Sequence, residues 1–566
     1  MKQFNNLVEL LDYRATIEPQ KQAYTFLSDG ETKELNLTYR DLELQAKAIA
    51  AQLQSLNLTG ERALLLYPPG LDYITAFFGC LYAGVIPIPT YPPRPNRSLS
   101  RLVAIVRNAQ AKIALTSTSA FSKVERKFTE IPELKTLYCF KTDIINCDIA
   151  QKWQYPVIHS DSLAFLQYTS GSTGSPKGVM VSHQNLLHNL KIIHQAFEHN
   201  NQSQGVIWLP PYHDMGLIGG ILEPIYSGFP VTLMSPFSFV QKPRRWLEAI
   251  SKYRATTSGG PNFAYDLCVD KITAEQKANL DLSSWEVAFN GAEKVRVQTL
   301  ERFTTAFADC GFQASAFYPC YGMAEATLFI SGGFKDKAPN IINVDSEALK
   351  NKKIIYKTTN NNYSENKKIY QLVSCGHSWL EQEVIIVDPE TLQECSENQI
   401  GEIWVRSASI TQGYWNQSEL TKKNFEAILR EKVENKFFRT EDLGFFSNGE
   451  LYITGRMKDL IIINGRNHYS QDIELTVETS HTTIIPNSCA AISVDIDGEE
   501  KLAILAEVKF AYKGESEEIC KKIRTNIATI HEIKVDTIKL LKKGTIPKTS
   551  SGKIQRFLCH QLISNS

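Results

Sequence analysis

The chain has 566 residues, 43% apolar and 22% charged, a composition ordinary for a globular protein but a length too great for one hydrophobic core. Lys plus Arg balances Asp plus Glu at 61 each, so no net field draws it to nucleic acid or to an anionic membrane. No apolar run approaches the ~20 residues of a membrane span, and the N-terminus lacks the unbroken apolar stretch of a signal peptide; eleven scattered cysteines with no Cys-x-x-Cys pair predict free buried thiols and a cytosolic setting.

In chain order, apolar residues recur at helical spacing from Leu42 to Leu56 and from Tyr73 to Tyr82, while Arg62 to Tyr67 and Val85 to Pro89 have the length of strands. This alternation predicts an α/β fold, a parallel sheet with helices on both faces. Tyr91-Pro-Pro-Arg-Pro then interrupts regular structure. Leu163 to Tyr168 reads as a buried strand and the run from Val179 as the next one. Between them lie Thr169, Ser170, Gly171, Ser172, Thr173, Gly174, Ser175, Pro176 and Lys177. Glycines let backbone amides approach an anion, and the hydroxyls and the lysine add donors and a cation, so the loop suits nucleotide phosphates. It is not a Walker A loop, because Pro176-Lys177 stands where that pattern has Gly-Lys.

Further along, His213-Asp214 precedes Met215-Gly216-Leu217-Ile218-Gly219-Gly220-Ile221, apolar walls with small residues between them, as a slot for a long unbranched acyl chain needs. An amino-acid substrate would need a carboxylate facing its ammonium, for which Asp214 is the candidate. Gly291 and Ala292, in Asn290-Gly-Ala-Glu293, are small enough for a flat base to lie against the backbone. The run Tyr318 to Thr327 offers a ring for stacking in Tyr321, a hard oxygen ligand for Mg²⁺ in Glu325 and a hydroxyl in Thr327. Residues 335–370 are rich in Lys and Asn, and short β-rich stretches follow from Gln371 to Trp404. Past Gly455-Arg-Met-Lys-Asp enough chain remains for a small α/β unit, in which Ile519, Ile523, Ile527 and Ile530 mark a helix with an apolar face. Near the end, Lys553 sits in a Ser/Gly loop, Pro547-Lys-Thr-Ser-Ser-Gly-Lys-Ile-Gln-Arg556.

These motifs, in this order and over nearly the whole chain, resemble the adenylate-forming superfamily of acyl-CoA synthetases, peptide-synthetase adenylation domains and luciferases, and within it the fatty acyl-AMP ligases. The resemblance implies a large N-terminal domain over 1–456 of layered α/β subdomains with a β-rich part at 371–455, a hinge near 457–458, and a mobile α/β lid over 459–566. It implies a branch-specific insertion at 335–370, for which Ile354, Ile355 and Tyr356 are the expected docking residues. It places ATP phosphates on Thr169 to Gly174 and Lys177, and adenine among Asn290, Gly291, Ala292, Glu293 and Tyr321, Gly322, Met323, Ala324. Glu325 is the expected Mg²⁺ ligand, with Thr327 near the α-phosphate. Asp442 takes the ribose hydroxyls, Arg456 ribose or phosphate, and Lys458 the pivot. Lys553, His213 and Thr169 are the implied catalytic residues, and His213, Met215, Gly216, Ile218, Gly219 and Ile221 the implied acyl pocket.

The activity this implies is ATP-dependent conversion of a fatty acid to acyl-AMP, with release of pyrophosphate and transfer of the acyl group to the phosphopantetheine thiol of an acyl carrier protein, by a monomer. Transfer to CoA, activation of an amino acid, and an inactive nucleotide or lipid sensor are the alternatives. Intact Lys553, Glu325, Asp442 and Arg456 argue against the last.

Overall fold

The computed structural model describes residues 2–93, 99–169, 176–358, 369–430, 432–463, 466–496, 499–509, 516–549 and 552–564. The loop residues Ser170, Gly171, Ser172, Thr173 and Gly174 therefore lie outside the described residues, as do 94–98 of the Pro-rich segment.

The expected early elements form close to where periodicity placed them. Helices run over Tyr39–Ser55 and Leu71–Ala83, and Arg62–Leu65 and Ile86–Pro89 are parallel strands. The first helix is started by a capping box, in which Thr38 and Asp41 each bond the other's backbone amide. With Ile113–Thr116 and Tyr138–Lys141 the two strands make a four-stranded parallel sheet. A second, nine-stranded sheet has a parallel centre, running from Gln22–Leu27 through Val231–Met234, Gly205–Ile207 and Thr257–Gly259 to Val287–Asn290 and Phe317–Gly322, with antiparallel strands at its edges. Helices pack on it, and their shared core gathers aromatic side chains such as Trp246, Tyr265, Phe77 and Phe165. Val287–Asn290 and Phe317–Gly322 are neighbours in register, and their C-terminal ends carry the two motifs expected to face adenine. In open parallel sheets that edge is where ligands bind.

A five-stranded antiparallel sheet follows, built from Glu383–Val387, Gly401–Arg406, Ala427–Leu429, Lys432–Ser447 and Glu450–Arg456. After a single turn at Met457–Asp459, the chain makes a hairpin (Leu460–Ile463, Arg466–Tyr469) and a small domain with its own core, in which Ile473, Val477, Ile504, Ile519, Ile523 and Ile527 pack together. The architecture is a large N-terminal and a small C-terminal α/β domain. The predicted apolar stripe of the late helix, Ser516–His531, holds at three positions and fails at Ile530, which is 55% exposed; Ile533, beyond the helix end, packs into the core instead.

The insertion region also departs from expectation. Ile354 packs against an apolar cluster, but Ile355 is exposed and Tyr356 is held by hydrogen bonds to Asn398 and Ser447 rather than by burial. The contacts with the small domain come from elsewhere. The short helix Ser346–Lys350 gives Lys350, whose Nζ donates to the His531 carbonyl (3.4 Å) and whose carbonyl accepts from Asn467 (3.1 Å), and Glu347, which pairs with Arg466 at 3.5 Å. Strand Ile369–Val373 gives Tyr370, whose hydroxyl meets Asp472. All eleven cysteines are free, and five of them are only partly buried. Among the described residues no helix is long and apolar enough to cross a membrane.

Candidate active site

Strands Leu163–Thr169 and Lys177–Ser182 pair antiparallel with Thr169 opposite Lys177, so these two residues form the base of the expected phosphate loop. Strand Lys177–Ser182 also hydrogen-bonds the segment around Tyr414, through Met180 N–H to the Gly413 carbonyl (2.9 Å) and Trp415 N–H to the Gly178 carbonyl (2.7 Å). That pairing sets the Tyr414 ring beneath the Lys177 ammonium, 4.9 Å from the ring centre, and lets the Tyr414 hydroxyl donate to Glu325 Oε1 at 3.0 Å. Burial raises the Glu325 carboxyl against the opposing pull of Tyr414 and Lys177; burial likewise lowers Lys177, against Glu325 and Glu441. A cation placed here would favour the ionised carboxylate.

The ribose site is built by one hairpin. Asp442 and Arg456 are cross-strand partners in the antiparallel pair of Lys432–Ser447 with Glu450–Arg456, and Arg456 Nε donates to Asp442 Oδ1 at 2.8 Å. Tyr321 donates its hydroxyl to the other oxygen, Oδ2, at 2.8 Å. The expected stacking ring is thus fixed by the expected ribose acceptor. Lys458, just past the hairpin, pairs with Glu441 at 2.6 Å.

Lys553 comes from the small domain into this site. Its loop is a tight turn in which the Thr549 amide donates to the Lys553 carbonyl (2.7 Å) and the Lys553 amide to Thr549 Oγ1 (3.0 Å). Gly552 holds φ +86°, a conformation that favours glycine. Below the loop, Arg556 clamps the domain with Nε and Nη2 on Glu474 (2.8 and 2.6 Å) and Nη1 on Asp459 (2.7 Å). Burial lowers the Lys553 ammonium, Arg456 adds to that, and Asp214, Glu293 and Asp442 oppose it, so four charged side chains of the large domain bear on one lysine of the small domain.

His213 lines the same cavity as Lys553, its Nδ1 2.6 Å from Asp214 Oδ1. Burial works to raise Asp214, but His213, the Met215 amide and Lys553 outweigh it and hold the carboxyl below its ordinary range. The following segment, Met215–Leu222, is π-helical. The wide turn changes which side chains face inward: Met215 and Gly219 line the cavity, while Gly216, Ile218 and Ile221 do not. Ile218 and Ile221 are core residues, and Gly216 is needed because a Cβ there would stand 2.1 Å from the Pro210 carbonyl oxygen.

A continuous cavity of about 1500 Å³ joins these parts, lined by Thr169, Lys177, His213, Ala292, Glu293, Tyr321, Gly322, Met323, Ala324, Glu325, Asp442, Arg456, Lys458 and Lys553. Besides Gly216, Ile218 and Ile221, three residues expected at the nucleotide lie outside its wall. Asn290 is fully buried with its amide on Asn262 (3.2 Å), and Gly291 packs where a Cβ would come within 2.9 Å of the Cys320 carbonyl oxygen. Thr327 donates its hydroxyl to the Ser409 carbonyl at 2.6 Å instead of facing a phosphate. It sits at φ +67°, ψ −63°, the centre of a strained three-residue turn closed by Leu328 N–H on the Ala326 carbonyl (2.8 Å). Tyr414 and Arg556 are the residues that motif reading did not single out; both reach the site through pairings more than 80 residues apart in sequence, between Glu325 and Tyr414 and between Glu474 and Arg556.

Residues 11–415 match the family model for AMP-binding enzymes, and residues 458–562 match the model described as the Disco-interacting protein 2-like AMP domain. The chain is 47% identical to the medium-chain-fatty-acid–[acyl-carrier-protein] ligase JamA of Moorena producens, over 98% of this chain and 95% of that one. It is 36% identical to the ligase TtuA of Teredinibacter turnerae, which carries the same activity name, over 97% and 92%. Its structure resembles that of a fatty acyl-adenylate ligase from L. pneumophila in complex with acyl adenylate and pyrophosphate, at 43% identity, TM-score 0.78, and 100% and 97% coverage. By sequence, fold and motif order alike, the chain belongs to the AMP-binding, adenylate-forming enzyme family, among the fatty acyl-AMP ligases.

Proposed function

We propose that the protein activates a medium- or long-chain fatty acid with ATP and passes the acyl group to the phosphopantetheine thiol of an acyl carrier protein. The observation that carries this reading is the single cavity in which an apolar arm behind His213 meets the Lys177, Glu325, Asp442 and Lys553 cluster. The relatives of 47% and 36% identity are named for ligation of medium-chain fatty acids to a carrier protein, which supports both the substrate class and the acceptor.

In the first step a carboxylate oxygen attacks the α-phosphorus, a new O–P bond forms, and the bond to the β-phosphate oxygen breaks to release pyrophosphate. The carboxylate is already ionised at neutral pH, so no general base is required. Two anions must meet, and the protein's work is to cancel charge. Lys553 bridges a carboxylate oxygen and an α-phosphate oxygen, Lys177 and the Thr169 hydroxyl hold the outer phosphates, and Asp442 receives the ribose diol. His213, braced by Asp214, borders the carboxylate. Glu325 is the carboxylate that would hold Mg²⁺; no group of three or more metal-ligating side chains occurs among the described residues, and a lone carboxylate suits an ion that would take its other ligands from phosphate and water. When bound, the ion neutralises charge on the phosphates. For the second step the small domain turns about Met457–Asp459 and withdraws Lys553, opening the acyl-adenylate to the thiol.

ATP–pyrophosphate exchange across fatty acids and amino acids, followed by incubation with holo-carrier protein or CoA, tests the reading. Exchange with fatty acids and thioester on the carrier are expected. Exchange only with amino acids, or acyl-CoA as the sole thioester, refutes it.

A further inference from the structure

The apolar arm of the cavity does not end in hydrocarbon. Together with Ile193, Phe197, Phe229 and Phe289 its wall includes His199, whose side chain is 4% exposed. His199 follows the helix His183–Ala196, and its Nδ1 lies 3.1 Å from Oε1 of Glu223, a carboxyl with no solvent exposure at all. Ser227 donates to the same oxygen, and His194 Nδ1 lies 2.8 Å from the Ser227 hydroxyl. Four polar side chains thus form a chain at the back of a hydrophobic slot. Two of its atoms, His199 Nε2 and Glu223 Oε2, are buried with no hydrogen-bond partner among the described residues. Buried polar atoms are normally paired, and each one left unpaired is costly.

The placement of this pair is set by the wall that carries the acyl chain. The π-helical segment Met215–Leu222 begins beside Asp214, at the carboxylate end, and runs directly into Glu223, at the far end. Nine residues of helix span at most about 13 Å, the reach of an acyl chain of medium length. On these grounds we infer that His199, backed by Glu223, forms a polar floor to the acyl slot that receives a hydroxyl carried at or next to the end of the fatty acid. The inference rests on the fatty-acid reading of the site and adds a substrate class to it.

A hydroxyl suits the floor better than a charged group. Burial holds the His199 imidazole down at about 3 and pushes the Glu223 carboxyl well above its ordinary range, so burial favours the uncharged form of both. Within that neutral chain the position of one proton decides whether His199 Nε2 donates or accepts, and a hydroxyl serves either case because it does both. A terminal ammonium or second carboxylate would be buried beside neutral partners without a counter-ion.

The test is ATP–pyrophosphate exchange on the full-length enzyme with two matched series, unsubstituted and ω-hydroxy alkanoic acids of six to fourteen carbons, with the ω-carboxy series as a third arm. The quantity read is the ratio of kcat/KM for the hydroxy acid to that for the plain acid at each length. The ratio is expected to pass through a maximum of one or more at the length that reaches His199, and His199→Phe is expected to lower that maximum tenfold to a hundredfold. The ω-carboxy acids should be poor at that length. A ratio below one-tenth at every length in the wild-type enzyme would overturn the inference and leave a water only on the ring nitrogen. An unchanged ratio in His199→Phe would overturn it equally. Because both substrates are read on the same variant, a partial loss of folded enzyme cancels. Failure of the fatty-acid reading itself looks different, namely no exchange with any plain alkanoic acid.

Discussion

At the scale of single residues, the site owes its form to side chains that shape backbone as much as to those that face substrate. Gly291 is the clearest case. It does not line the cavity, but its neighbours Ala292 and Glu293 do, and a methyl group at 291 would press on the Cys320 carbonyl and sulfur at 2.9 Å. Gly291→Ala is expected to destabilise the protein by ~1–3 kcal/mol and to raise KM for ATP. Thermal melting and initial rates check this, and an unchanged Tm would show that the strand ends are not held by close packing. Asn290 and Thr327 carry the same lesson in their bonds to Asn262 and Ser409. A motif names the residues that recur around a ligand. It does not say which touch the ligand and which hold the strand that does. Met215, Gly219, Glu325, Asp442 and Lys553 line the cavity, as the motifs and the family resemblance they carry lead one to expect. The outward turn of Ile218 and Ile221 could not be read from the sequence, because the wall is π-helical and apolar spacing alone does not distinguish that winding from an α-helix.

At the scale of elements, two local structures connect the small domain to the chemistry. Arg556 ties the Lys553 loop to Glu474 and Asp459, and Asp459 belongs to the turn that joins the domains. Arg556→Met leaves two carboxylates without their cation, an expected cost of ~3–5 kcal/mol, with exchange activity falling alongside. A denaturant midpoint equal to that of the wild type would contradict this. The second element is the helix Ser346–Lys350 with strand Ile369–Val373, which touch the small domain through Lys350, Glu347 and Tyr370. These contacts are made in the arrangement in which Lys553 lines the cavity, and contacts confined to one arrangement would favour it. Deleting residues 345–368 should therefore free the domain and let acyl-CoA form alongside an active adenylation step. Continued absence of acyl-CoA would remove this role. Position in the chain and the family resemblance, not composition, suggest the insertion, with its grip expected at Ile354, Ile355 and Tyr356. The charged helix before them holds the domain instead, because the joint is polar and hydrophobic spacing carries no signal for it.

At the scale of the whole molecule, the two domains meet across a charged joint. Lys294 lies 3.2 Å from Asp472, and Arg296 lies 3.8 Å from Glu478 and 3.5 Å from Asn487. Burial, with Glu474 adding to it, pushes the Glu478 carboxyl up to about 7 against the pull of Arg296. A carboxyl whose value is raised on folding contributes stability that is complete below its unfolded value near 4.5 and is lost as pH rises through about 7. In Glu478→Gln this loss is absent. The Tm of the variant relative to the wild type should accordingly become more favourable from pH 5 to pH 8, by the equivalent of ~1–3 kcal/mol. A difference that is flat with pH, or of opposite sign, would contradict the assignment.

The central claim is that a lysine from the small domain completes an adenylation site in the large one. It is tested most directly by measuring both half-reactions on Lys553→Ala. ATP–pyrophosphate exchange with a medium-chain fatty acid should fall at least about a hundredfold, ~3 kcal/mol of barrier, while ATP binding and transfer from supplied acyl-adenylate to holo-carrier protein persist. Exchange at close to the wild-type rate in that variant would contradict the account.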